Sequence, residues 1–415
     1  MQISRRAAGL ASCLGLLSAT LPRAYGDQEL AKKLRTIGRV TGLAKADLPT
    51  PALLLDLDIF EKNLAKMAKH AASNGKQLRP HAKTHKCVEV VRRQEALGAI
   101  GVCVATVNEA EVMATGGIDG ILLASPIATP SKSARMAGLA VGGRNVIVAV
   151  DHAQQVSMYE QAAAKAGSKL GVLIDLDVGD HRTGIEPDEL ALKLAELVTK
   201  SKQLELRGVQ AYSGGSSHVI GFAQRRNHSL QAMSRAAAMR ERFRKSGLPS
   251  EILSATSTGT YNIDSEIEQI TELQVGSYVA MDVDYRRIGG LHSDVFNDFG
   301  HALTVLATVV SANYRKQVTI DAGFKALATD RPFGPDLKDH QGIRYLFRGD
   351  EFGVLSWETE STPFQLGDRL ELLAPHCDPT VNLYDRIYAC RRDQVEEIWS
   401  VMDRLSATQE GNRPS

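Results

Sequence analysis

Residues Asn145 to Asp177 read NVIVAVDHAQQVSMYEQAAAKAGSKLGVLIDLD. Two short runs, Asn145–Asp151 and Leu170–Asp177, are almost continuously apolar, and the stretch between them, Ala153–Ala166, carries its apolar residues at helical spacing. This is one strand–helix–strand unit. Strands without polar alternation are covered on both faces, the habit of a parallel sheet.

The unit repeats outward in both directions. Upstream, Gln77–Ala82, Ile100–Thr106 and Gly120–Ser125 are β-prone; downstream, Leu206–Tyr212, Glu251–Thr256 and Glu272–Tyr278 follow. Amphipathic stretches such as Val107–Thr115, Asp188–Lys200 and Ala223–Lys245 lie between them. Eight units in roughly 210 residues predict an α/β fold, a closed (β/α)8 TIM-type barrel, compact against the ~250 residues usual for that fold. An open doubly wound sheet is the alternative. The barrel is favoured because no Gly-x-Gly-x-x-Gly follows the first strand.

Beyond residue 289 the pattern changes. Ala302–Asn313, Gln317–Asp321, Arg344–Phe347, Arg369–Leu373 and Arg386–Cys390 read as strands, and Asp330–Gln341 as a loop rich in Pro, Gly and charge. Residues 289–405 are therefore a second, mostly β C-terminal domain. Before the barrel (75–288), residues 50–74 hold Thr50-Pro51, a buried strand Ala52–Asp58 and a helix Ile59–Ser73. A barrel needs no ninth strand, so this one is assigned to the β domain. Residues 27–49 are an N-terminal extension and 406–415 a polar tail.

Of the 415 residues, 49 are Lys or Arg and 48 Asp or Glu, giving a net charge of +1. That balance provides no basic footprint for nucleic acid, and 5% aromatics provide no base-stacking platform. With 43% hydrophobic residues the chain can bury a large core. Five cysteines are too few for a disulfide-built scaffold.

Residues 1–26 read as an export signal. Arg5-Arg6 precedes an apolar stretch, Ala7–Leu21, too short to span a membrane, and Ala24-Tyr25-Gly26 offers small residues for cleavage. The paired arginines resemble a twin-arginine signal, which implies the periplasm and no membrane attachment after cleavage. Cleavage removes three arginines and no acid, taking the net charge from +1 to −2. Cys87, Cys103, Cys377 and Cys390 remain, and free buried thiols are expected.

Barrel chemistry gathers at the C-terminal ends of the strands. Those ends carry Arg79-Pro80-His81-Ala82-Lys83-Thr84-His85-Lys86, Asp180-His181-Arg182-Thr183-Gly184, Tyr212-Ser213-Gly214-Gly215-Ser216-Ser217-His218, Thr256-Ser257-Thr258-Gly259-Thr260 and Gly276-Ser277-Tyr278. Gly/Ser/Thr turns let backbone N–H groups approach a phosphate. Together with a lysine at the first strand end they point to pyridoxal 5'-phosphate, held through Lys83. The attached amine must be neutral, so its pKa is expected to be lowered by His81, His85 and Lys86. In Pro375-His376-Cys377-Asp378-Pro379, an extended backbone would turn His376 and Asp378 to one side and Cys377 to the other. Imidazole plus carboxylate suits a divalent cation: Mn2+, Mg2+ or Zn2+.

TPALLLDLD, RPHAKTHK, ELQVGSYVAMDVDY, DAGFKA and PHCDPTVNLYD, in this order, resemble the D-threonine aldolase and D-serine dehydratase family. These are fold-type III pyridoxal-phosphate enzymes with an alanine racemase-like barrel. The resemblance implies that Lys83 is the Schiff-base lysine and that Arg182 faces the pyridine nitrogen. It places Tyr212, Thr258, Gly259, Gly276, Ser277 and Tyr278 around ring and phosphate. His376 and Asp378 match metal ligands, and His218 matches a histidine near the substrate hydroxyl. A homodimer is implied by the resemblance alone.

The chain departs from the aldolase pattern at Ser213-Gly214-Gly215, at Thr256–Thr260 and at Asp350-Glu351-Phe352-Gly353, which bears on substrate identity. The dehydratase branch has His-x-Cys where this chain has His376-x-Asp378. The expected activity is a metal-assisted lyase that cleaves small D-3-hydroxyamino acids to glycine and an aldehyde. Dehydration to a keto acid and ammonia is the alternative.

Overall fold

The computed structural model describes residues 28–359 and 363–402. The export signal expected in residues 1–26 and the 406–415 tail lie outside the described residues.

Eight parallel strands form the barrel: Gln77–Leu78, Val102–Val104, Ile121–Leu123, Val146–Val150, Leu170–Leu176, Leu204–Ala211, Ile252–Ala255 and Glu272–Leu273. The last pairs with the first, Glu272 opposite Gln77 and Leu273 opposite Leu78. The ring closes between the first two strands through a parallel bridge from His81 to Cys103 and the bond from the Cys103 N–H to the Pro80 carbonyl, 2.8 Å. Alternate strand residues point inward. Cys103, Leu122, Ile147, Leu173 and Ile252 fill the interior as a separate apolar cluster, while their neighbours on the strands pack outward under the helices.

The two ends of the interior differ. Beside the start of the eighth strand, Arg79 makes a bidentate pair with Glu272 (2.9 and 2.8 Å) and bonds the Gly120 carbonyl. Towards the strand C-termini, Asp175, Gln210, Ser254 and Gln274 form a buried polar layer. Gln210 donates to Asp175 at 2.8 Å and Gln274 to Ser254 at 2.8 Å. The apolar plug is thus roofed by polar groups, on the side where the site opens.

The β domain is built around Leu303–Tyr314. This strand pairs antiparallel with Arg369–Leu373 on one side and, on the other, with Ala52–Asp56 along its first half and Gln317–Ile320 along its second. Ala52–Asp56 also pairs, in parallel, with Arg386–Arg391. The strand stops two residues earlier than its sequence suggests, because the Asp56 carboxylate accepts the Ile59 N–H (3.0 Å) and caps the helix Leu57–Ser73.

Four strands escaped the sequence reading: Gly38–Arg39, Asp336–Leu337, Gly353–Ser356 and Gln394–Ser400. In the last, consecutive Glu396 and Glu397 break the alternation. The register shift opposite Ala389/Cys390 absorbs one of them as a bulge. Cys87, Cys103, Cys377 and Cys390 are all free and buried.

Asp282 joins the two domains. Fully buried just past the eighth strand, its carboxylate accepts the N–H of Tyr285 (2.9 Å) and of Cys377 (2.9 Å). The N–H groups of Val283 and Asp284 reach the carbonyls of Ala374 and Pro375. These bonds set the 374–378 segment of the β domain against the barrel mouth.

Candidate active site

The chain leaves the first strand through Arg79-Pro80 and tightens into a single turn, Ala82–Thr84, capped by the His81 ring, whose Nδ1 accepts the Lys83 N–H at 3.3 Å. The turn lifts Lys83 into a cavity of about 420 Å³ shared with His81, Asp175, Arg182, Gln210 and Tyr212. Its Nζ lies 3.2 Å from Asp378 Oδ2, across the domain junction.

The charge state of Lys83 corrects the expectation. Its pKa is raised, first by the neighbouring Asp378 carboxylate, against the opposing effect of burial. The supposed depressants do not act. Burial, aided by the Lys83 charge, pushes His81 down to about 3, and burial pushes His85 down to about 4, so both rings are neutral near pH 7. Lys86 turns to Asn382 (2.8 Å) and Glu109 (3.8 Å). Asp378 shows the complementary effect. Burial would raise it, but Lys83 and His376, with hydrogen bonds from Thr84 and Lys83, hold it at about 2.

After the fifth strand, Asp177 gathers the N–H groups of Gly179 (2.8 Å) and His181 (3.1 Å) and the His181 ring (2.6 Å). The turn presents Arg182 over the Tyr212 ring, 4.8 Å from its centroid. Asp180 accepts from the Gly214 and Gly215 N–H groups and so ties this turn to the loop after strand six. Asp177, His181 and Glu186 also form a three-residue group with metal-ligand spacing. It is committed internally, with Glu186 paired to Arg235.

The loops after strands seven and eight meet against the turn that carries Lys83. Thr258 Oγ1 accepts the Tyr278 N–H at 3.1 Å. A Cβ on Gly259 would stand 2.1 Å from the Ser217 carbonyl, and one on Gly276 2.8 Å from Thr84 Oγ1. Only glycine allows these approaches. Among the described residues, the N–H groups of Gly259, Gly276 and Ser277 have no protein acceptor. Buried N–H groups without partners are rare, and a cluster of them beside a lysine fits a phosphate. Tyr278 is buried with its hydroxyl accepting from Gln94 at 3.0 Å, away from the cavity, and contributes its backbone here.

The 376–378 segment is not extended. Cys377–Val381 is a short helix with His376 as its extended N-cap. The Asp378-Pro379 pair suits a first helical turn, where the missing proline N–H has no role. Asp378 faces Lys83, Cys377 is buried and donates its N–H to Asp282, and His376 Nδ1 lies 2.7 Å from Asp330 Oδ2. That contact leaves His376 Nε2 as the donor available to a cation, and one imidazole with one carboxylate fits Mn2+, Mg2+ or Zn2+.

His218, at the end of the short helix Gly214–Ser217, packs on Tyr285 with ring centroids 4.8 Å apart. Its Nδ1 lies 3.0 Å from Asp284 Oδ2. Arg331 Nε bonds the same Asp284 oxygen at 2.8 Å, and Arg331 Nη1 reaches Asp330 Oδ2 at 3.1 Å. Burial would raise the Asp284 carboxyl, but His218 and Arg331 hold it below the usual carboxylate range. Asp180, Asp284, Asp330 and Arg331 were missed in the sequence. Asp284 stands inside ELQVGSYVAMDVDY, so its motif was visible although its role was not.

The chain matches the alanine racemase N-terminal domain over residues 55–283 and a putative serine dehydratase domain over 302–390. It is 34% identical to a 3-hydroxy-D-aspartate aldolase of Paracoccus denitrificans over 371 residues, covering 89% of this chain and 95% of that protein. It is 37% identical to a D-threonine aldolase of Arthrobacter over 362 residues, with 87% and 94% covered. The crystal structure of D-threonine aldolase from Filomicrobium marinum superposes with a TM-score of 0.83 at 36% identity, covering 88% of this chain and 97% of that one.

Proposed function

The chain belongs to the family of lyases that joins an alanine racemase-type barrel to a serine dehydratase domain, and from that premise we propose that it cleaves the Cα–Cβ bond of D-3-hydroxyamino acids, giving glycine and an aldehyde. The carrying observation is the 3.2 Å approach of Lys83 to Asp378, which puts the cofactor-bearing amine and a cation ligand in direct contact.

Pyridoxal phosphate, when bound, supplies the electron sink for the carbanion left at Cα. The residues present suit it. Lys83 attaches the cofactor and the N–H groups of Gly259, Gly276 and Ser277 hold its phosphate. Thr258 and Tyr278 order that loop. Arg182, which lies over the Tyr212 ring, would meet the pyridine nitrogen with a guanidinium that offers only donors. His376 and Asp378 would hold a divalent cation, which would act as a Lewis acid toward the substrate hydroxyl. His218 takes the hydroxyl proton as the carbon–carbon bond breaks, and a proton delivered to Cα completes glycine.

Dehydration is the second reading, favoured by the serine dehydratase match over residues 302–390. There Lys83 would remove the Cα proton. The carboxylate at 378, in place of a thiolate, favours hard cations and the first reading.

The test is a panel of D-threonine, D-phenylserine, D-3-hydroxyaspartate and D-serine with pyridoxal phosphate, with and without EDTA, scored separately for glycine and keto acid. Glycine that disappears with EDTA and returns with Mn2+ supports the proposal; keto acid alone supports the second reading. Export to the periplasm is part of the same proposal, and an N-terminus near Asp27 in the natively purified chain supports it.

A further inference from the structure

Two imidazoles on different domains are arranged alike. His218, on the barrel, has Nδ1 3.0 Å from the Asp284 carboxylate, and His376, on the β domain, has Nδ1 2.7 Å from the Asp330 carboxylate. One guanidinium, Arg331, bridges the two carboxylates at 2.8 and 3.1 Å. Nitrogen groups and carboxylates alternate along the chain His218–Asp284–Arg331–Asp330–His376, and every link is a side-chain contact. The pattern is not a surface accident, because Asp284 is largely buried and Arg331 only about a quarter exposed (15% and 26%).

We propose that Asp284 and Asp330, held together by Arg331, are positioning residues that set the tautomers of His218 and His376 respectively. A carboxylate beside Nδ1 keeps the proton on that nitrogen and leaves the Nε2 lone pair free. His218 then presents a base, and His376 a metal donor, from one shared clamp. Arg331 prevents either carboxylate from turning away, because its planar fork engages both at once. The His218–Asp284 contact is not aligned as a hydrogen bond in this structure; such contacts tighten when a site is loaded. The inference rests on reading His218 as the base and His376 as a cation ligand.

The experiment has two arms. In the first, the cofactor-loaded full chain carries 15N-histidine, with Mg2+ added and the signals assigned through His218→Gln and His376→Gln. Both side chains are expected with the proton on Nδ1. His218 found with its proton on Nε2 overturns the proposal, whatever the enzyme turns over.

The second arm is kinetic, with D-phenylserine and Mn2+. Asp284→Asn and Arg331→Met are each expected to lower kcat by about 10- to 100-fold, with KM changed by less than about twofold. Cofactor absorbance should stay at the wild-type value. The double variant should be no worse than the poorer single one, because both break the same clamp. Fully additive losses, or a wild-type kcat in Asp284→Asn, overturn the proposal. A wild-type chain inactive on every hydroxyamino acid of the panel removes the functional reading instead. The tautomer measurement needs no folded variant at 284 or 331 and decides the inference by itself.

Discussion

Lys83 and Asp378 come from different domains and meet as an ion pair, Nζ to Oδ2 at 3.2 Å. The ammonium pairs with the same carboxylate that is assigned to the divalent cation, so the two cations compete for Asp378. Lys83→Ala is therefore expected to bind Mn2+ several-fold more tightly than the cofactor-free wild type, even though it forms no cofactor adduct. Titration of free Mn2+ by electron paramagnetic resonance measures this. Weaker binding in the variant would remove Asp378 from the cation site.

Gly259 has no room for a side chain. A Cβ there would sit 2.1 Å from the Ser217 carbonyl, so Gly259→Ala must push the loops after strands six and seven apart. Strain of this kind costs about 1–3 kcal/mol. A lower melting temperature should accompany weaker pyridoxal phosphate binding, followed by absorbance during reconstitution. A variant with wild-type cofactor affinity would mean that this loop does not hold the phosphate.

The Arg79–Glu272 pair is almost fully buried. Glu272→Gln leaves the guanidinium without its countercharge, and breaking a buried pair from one side costs about 3–5 kcal/mol. Replacing both with apolar residues, as in Arg79→Met/Glu272→Leu, should cost much less by the same principle. Urea unfolding midpoints separate the two outcomes.

His85 is buried, and burial pushes its pKa from 6.5 to about 4. Below pH 6.5 the unfolded chain takes up a proton that the folded chain refuses. Stability is therefore lost as pH falls from 6.5 towards 4, by on the order of 3 kcal/mol. Asp175 and Asp264, pushed up to about 6 by burial, act oppositely: they favour the folded state as they protonate between pH 6 and 3.8. The prediction is thus a difference. His85→Asn should lose less stability than wild type between pH 6.5 and 4, measured by urea unfolding at each pH. Equal losses would mean that His85 is protonated in the folded chain.

The barrel was legible because its signal is local. Each strand is a short apolar run, and its partner is the next such run along the chain, as in Val146–Val150 beside Leu170–Leu176. The strand Gln394–Ser400 was not, because its Glu396-Glu397 step makes sense only against the bulge opposite Ala389/Cys390. The site divides the same way. Lys83, Arg182, His218 and the 376–378 pair stand at strand ends or in dense motifs. The raised pKa of Lys83 was hidden, since the carboxylate responsible is remote in sequence, and the neighbouring histidines seemed cationic until burial proved them neutral. Asp330 and Arg331 sit in a loop whose composition reads only as a turn.

The strand Ala52–Asp56 is made before the barrel, yet it lies between Leu303–Tyr314 and Arg386–Arg391. During synthesis its edges therefore wait, unpaired, while the whole barrel emerges from the ribosome. Asp330, His376 and Asp378 arrive only with the last third of the polypeptide. The cylinder can close early, but a nascent chain cannot hold a complete reaction chamber until its final segments have come back to meet its first strand.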